Sequence, residues 1–169
     1  MLYVVGEVNG VTVLDDTVFV ICANSSTIET YKADTLSPLA KDIHVVGMKD
    51  PCDIVACRHD RQLYVAEYNY CIWRVSADDH QYVKWLTIES AAGTFHACTL
   101  SVTWCHLLVT SVESCTLHQY WTTEQQLLSM VHLPRYMVVL LHAVETSRDT
   151  FVVGHRGTSQ DKWQCSVSN

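Results

Sequence analysis

Apolar residues in this chain come in short runs broken by polar ones, and one run recurs. Val18-Phe19-Val20-Ile21, Leu63-Tyr64-Val65-Ala66, Leu107-Leu108-Val109-Thr110 and Phe151-Val152-Val153-Gly154 start 45, 44 and 44 residues apart. A Val-rich chain produces such tetrapeptides by chance, so the flanks decide whether the spacing is a repeat. For three units the flanks keep step. Ile28, Ile72 and Leu117 follow Val20, Val65 and Val109 by seven or eight residues, and Tyr31, Val75 and Tyr120 come three residues later.

Each unit reads as short strands rich in Val, Ile, Thr, Tyr and Leu, separated by Asp, Asn, Ser or Gly, with no helical period. In the second unit the pattern predicts strands over 53–57, 62–66, 71–75 and 82–88, with polar turns at 58–61, 67–70 and 78–80. Four antiparallel strands in about 44 residues make one propeller blade. A sheet that is apolar on both faces cannot cover itself, so blades must stack around an axis. The predicted fold class is all-β: a β-propeller of about four blades, each of four antiparallel strands. The blades fall near 1–45, 46–90, 91–134 and 135–169 of a single domain, the last one incomplete. At about 44 residues per blade the chain holds roughly 3.8 units, the lower limit for a ring, and the reading is a fragment of a six-bladed propeller.

Composition agrees with a packed globular chain: 49% of the 169 residues are hydrophobic and 17% charged. The formal charge of -7 and the scatter of basic residues exclude the clustered Lys and Arg that a phosphate backbone requires, so no nucleic-acid partner is expected. No run approaches the roughly 18 apolar residues of a membrane span, and the stretch from Tyr136 to Leu141 meets His142 at once. No membrane partner is expected. The amino terminus lacks a secretory pattern, and the eight cysteines show no paired spacing. Those two features favour a cytoplasmic setting with reduced thiols.

The run Pro51-Cys52-Asp53-Ile54-Val55-Ala56, followed by Leu63-Tyr64-Val65-Ala66-Glu67-Tyr68-Asn69-Tyr70-Cys71-Ile72-Trp73-Arg74-Val75, resembles an NHL repeat. That family carries a Pro-x-x-Ile-Ala-like inner strand, then Leu-Tyr-Val-Ala-Asp, an Asn in the turn, and Ile before a final apolar position. Glu67 stands here in place of the Asp, and Arg61-Gln62 in place of a Gly before the second strand. His142-Ala143-Val144-Glu145-Thr146 before Thr150-Phe151-Val152-Val153 resembles the same hairpin in divergent members. The resemblance implies a six-bladed recognition platform, often the substrate-binding end of a ubiquitin ligase or scaffold that also carries RING, B-box and coiled-coil segments. The sequence contains none of those segments.

Other constellations weigh less. Cys52, Cys57 and His59 offer zinc-ligand chemistry, but residues five apart on a strand face opposite ways. His96 and Cys98 could pair a base with a thiol, yet no nucleophile turn surrounds them. Asp53, Glu67, Glu113 and Glu145 lie near strand ends. Lactonases of the gluconolactonase type, also six-bladed, hold a divalent ion with Glu, Asn and Asp, which makes a metal-dependent hydrolase with Asp53 and Glu145 as ligands the alternative reading. The tryptophans read as blade packing, with one or two free to anchor a partner.

The resulting expectation is a noncatalytic module that binds a protein or peptide, with no cofactor, no metal and no catalytic residue assigned. Its contact residues are Asp53, Glu67, Tyr68, Asn69, Tyr70, Glu113, His96 and His142, in the turns 67–70 and 112–114 and the inner-strand entries 49–53, 93–96 and 135–142. Self-association through open blade edges is a further expected partner mode. A truncated product without independent activity is the third reading.

Overall fold

The structure, a computed structural model, describes residues 6–68, 71–87, 97–111, 115–134, 137–147, 150–157 and 163–168. Among these, every regular element is a strand. The first sheet runs β1 (Val8–Leu14), β2 (Thr17–Cys22), β3 (Thr27–Lys32) and β4 (Ile43–His44). The second runs β5 (Pro51–Cys57), β6 (Gln62–Glu67), β7 (Cys71–Ser76) and β8 (Tyr82–Thr87). The third holds β9 (Ala97–Val102), β10 (His106–Ser111), β11 (Thr116–Trp121) and β12 (Leu127–His132). The last holds β13 (Met137–Ser147), β14 (Thr150–Gly157) and β15 (Trp163–Ser168). All are sequential antiparallel meanders. The chain divides into two compact units, Met1–Thr87 and Ile88–Asn169, with two sheets in each.

In the first unit β1 lies beside β5, so the two sheets meet along their first strands. Period-two alternation then sets the core. Phe19 and Ile21 of β2 and Ile28 of β3 point one way and meet Ile54, Leu63, Val65 and Trp73 of the second sheet. Val18, Val20 and Cys22 point the other way and cluster with Tyr31. Because β2 is buried on both faces, its sequence is an unbroken apolar run rather than an alternating one. Gly10 permits the approach of the first strands. A Cβ there would stand 3.0 Å from Ile54 Cγ2 and 3.1 Å from the Ile54 backbone nitrogen.

The turns at the far end of these sheets are polar, and Asp15 and Arg61 take left-handed conformations with φ of 52°. Arg61 spans both sheets: its guanidinium pairs with Asp15 of the β1–β2 turn and, at 2.8 Å, with Asp78 of the β7–β8 turn. All three side chains are exposed, so the triad adds specificity to the turn arrangement more than stability.

In the second unit β9 lies beside β13, and Leu108, Leu117, Ala143, Phe151 and Val153 close the core between the two sheets. The inner strand of the last sheet is longer than expected. The stretch 135–142 reads as an entry loop in the sequence, but β13 already begins at Met137, because Met137-Val138-Val139-Leu140-Leu141 continues the strand up to His142. The chain compensates with register shifts at Met137/Val139, Leu140/His142 and Glu145/Ser147.

His118 on β11 is half-buried, with Nδ1 3.2 Å from the Tyr120 hydroxyl. Burial, together with the neighbouring His132, pushes its pKa down from 6.5 to about 4. A depressed folded-state pKa means that the unfolded chain binds the proton more tightly. Stability is therefore full above about pH 6.5 and declines as the pH falls toward about 4. In urea titrations across this window, His118→Gln is expected to flatten the decline; an unchanged slope would contradict it.

Candidate functional site

The most organised polar cluster surrounds Glu67, the last residue of β6. Its side chain is 2% exposed, yet charged. Oε1 accepts hydrogen bonds from the backbone N–H of Lys49, at 2.7 Å, and of Asp50, at 3.4 Å. Oε2 accepts from the indole N–H of Trp73 at 2.8 Å and from the Cys71 thiol at 3.0 Å. Burial on its own would raise the carboxyl pKa, but the donors from Cys71, Trp73, Lys49 and Asp50 outweigh it and hold the group below its ordinary value. The same geometry pushes the Cys71 thiol up to about 12, by burial first and then by Glu67.

One carboxylate thus ties three segments together: the end of β6, the start of β7, and the loop that leads from β4 into β5. Its register explains the reach, since Glu67 pairs with both Pro51 and Cys71 across the sheet. The tied loop passes through Gly47, whose φ of 97° favours glycine and where a Cβ would stand 3.5 Å from the Trp73 ring. Trp73 itself packs edge-on to Tyr82 and carries the Lys84 ammonium 5.1 Å from its ring centre.

The position of Glu67 recurs. Four residues beyond the starts of the repeated tetrapeptides lie Cys22, Glu67, Ser111 and His155, and all four are at most 3% exposed. The first three sheets therefore end their second strand on a buried polar or thiol side chain, and the fourth carries His155 two residues before the end of β14. The repeat register contains this signal, because the flanking position is read off by extending each tetrapeptide one residue.

The expected contact residues separate into distinct places. Tyr68, adjoining Glu67, is 51% exposed, and its N–H donates to Asp50 O at 3.2 Å. On the tied loop, Val46 is 65% exposed. Glu67 itself is interior. Asp53 lies inside β5, not at its entry, because the strand begins at Pro51 and bulges before Asp53; its Oδ1 accepts from the Ile54 N–H at 2.8 Å. His142 is exposed within β13 and touches Ser101. Asn69, Tyr70, His96 and Glu113 lie outside the described residues. Of the tryptophans, Trp104 stands 80% exposed in the β9–β10 turn, whereas Trp73 and Trp85 are buried; the sequence pattern does not indicate which of them is exposed.

Among the described residues no group of three His, Cys, Asp or Glu side chains is placed to hold a metal ion. Asp53 and Glu145 belong to different units, and Glu145 Oε2 lies 3.7 Å from His106 Nδ1. Cys57 is buried with its thiol toward Asp60, while His59 is exposed. Ser101 Oγ lies 3.3 and 3.2 Å from the two ring nitrogens of His142, so it sits over the ring face and not on either in-plane lone-pair axis. That placement does not prepare a serine nucleophile.

No family model matches the chain, and a search of curated proteins gives no match. Solved structures do match. The computationally designed Ika4 protein is 13% identical, with a TM-score of 0.70 over 99% of this chain and 94% of that one. The β-propeller domain of Myceliophteria thermophila Cps50 (Swd1) is 8% identical, with a TM-score of 0.65 over 88% of this chain and 49% of that one. The fold is a β-propeller fold. Its blades are the four meander sheets, and this chain spans about half the length of the Cps50 chain.

Proposed function

We propose that this propeller is a noncatalytic, NHL-like module that binds a protein or peptide through loops at the end of its blades where β6 stops. One observation carries the reading: the buried Glu67 carboxylate pins the loop that exposes Val46 and the turn that exposes Tyr68. An aromatic and an aliphatic side chain held on a rigid base lose little freedom on binding, which is what an interface anchor requires. Asp53 and Glu67 support this surface from within, and Asn69 and Tyr70 extend it along the sequence. The NHL assignment rests on the Pro51 to Val75 motif, whose strands form as β5, β6 and β7. Buried thiols at Cys22, Cys57 and Cys71 suit a reducing, cytoplasmic setting. The outer strand β12, which exposes Leu127, Leu128 and Met130, is the edge best suited to self-association.

The test is affinity capture with the whole chain as bait, comparing the parent with Tyr68→Ala and Val46→Glu. Either substitution is expected to weaken the retained partner by about 2 kcal/mol, roughly thirtyfold, while Trp104→Ala leaves it bound. Retention of the same partners by both variants would refute this surface.

A further inference from the structure

The second blade carries a polar cavity at the end opposite Tyr68. It measures about 330 Å³ and is lined by Gln62, Arg74, Ser76, Asp79, Gln81 and Tyr82, with Val83 beside them. The sheet register explains why these side chains converge. Gln62 pairs with Ser76, Tyr64 with Arg74, and Arg74 with Val83, so a patch of one sheet face is furnished by three adjacent strands. The Arg74 guanidinium is half-buried there and adjoins the Tyr64 hydroxyl, which is fully buried. In contrast with Arg61, which holds two carboxylates, Arg74 pairs with none among the described residues. A half-buried arginine beside amide and hydroxyl donors, with one carboxylate, Asp79, at the rim, presents a forked donor suited to an anion.

We propose that this cavity binds a carboxylate, supplied by an acidic side chain of a peptide. Arg74 contributes the forked donor, and Gln62, Gln81 and Ser76 supply amide and hydroxyl groups to the remaining lone pairs. Asp79 sets the charge limit. It is exposed and ionised, and it accepts the Gln81 N–H at 3.1 Å. Its negative charge at the rim penalises a dianion more than a monoanion, so a carboxylate is preferred to a phosphate. The site lies at the other end of β6 from Tyr68 and stands whether or not that surface binds.

The experiment is a two-dimensional NMR titration of the ¹⁵N-labelled full chain with N-acetylglutamate α-amide, with its neutral glutamine counterpart, and with inorganic phosphate. The glutamate probe is expected to shift the Arg74 Nε–H and the side-chain amides of Gln62 and Gln81 in a saturable way. Arg74→Gln should weaken this at least tenfold, Gln81→Ala about threefold, and the glutamine probe should give no saturation. If Arg74→Gln disturbs the spectrum as a whole, Gln81→Ala at the exposed rim decides. Absence of saturation with the glutamate probe, equal response to the glutamine probe, undiminished binding by both variants, or tighter binding of phosphate would each overturn the assignment.

Discussion

Glu67→Ala is expected to destabilise the chain by about 3 kcal/mol or more, the cost of leaving several buried donors without an acceptor. The truncation strands the Trp73 indole N–H and the Lys49 backbone N–H at once, and it opens a cavity beside the Cys71 thiol. Glu67→Gln keeps one acceptor oxygen and nearly the same volume, so its cost should be nearer 1–2 kcal/mol. Urea unfolding at neutral pH measures both. Acid separates the charge from the shape. Glu67 titrates lower in the folded chain than its ordinary 4.5, so its stabilisation is complete above that pH and is lost as the pH falls through the folded value. The gap between parent and Glu67→Gln should close in that acid range. A Glu67→Ala protein as stable as the parent would show that the carboxylate does not hold the loop.

Gly10→Val is expected to cost about 3 kcal/mol and Gly10→Ala about 1, both by overpacking. A β-carbon at position 10 meets Ile54 Cγ2 at 3.0 Å, the Ile54 nitrogen at 3.1 Å and Ile21 Cδ1 at 3.2 Å. The Ile21 methyl can rotate away. The Ile54 nitrogen cannot, because β5 is fixed by its ladder to β6, so the first strands must separate. Thermal melts should fall in the order parent, Ala, Val. Equal melting of all three would mean that β1 and β5 tolerate a wider spacing.

Much of this fold was legible because it is written in period two. The strand expected over 62–66 forms as Gln62–Glu67 and the one over 71–75 as Cys71–Ser76, since both are bounded by polar turns that stop the ladder. Ile28, Ile72 and Leu117, the flanking positions of the repeat, are buried as their spacing implied. The site was read less well. Glu67 looks like a turn residue because a carboxylate beside Tyr-Asn-Tyr suggests solvent, and only the three-dimensional pairing reveals the donors waiting for it. In the sequence His142 reads as a loop residue, because an apolar run ending in histidine resembles an entry; the run instead lengthens β13. The exposure of Trp104 had no local signal, since tryptophans in this chain occur equally near buried strands.

Cys22, Cys57 and Cys71 are interior, and their surroundings raise all three thiol pKa values. Alkylation needs a thiolate that a reagent can reach, and the native state supplies neither condition. These sulfurs are consequently built-in clocks. With a fast electrophile, the modification rate of each one reports how often its own part of a blade opens, so mass spectrometry can time the breathing of the two sheets of the first unit without any added probe.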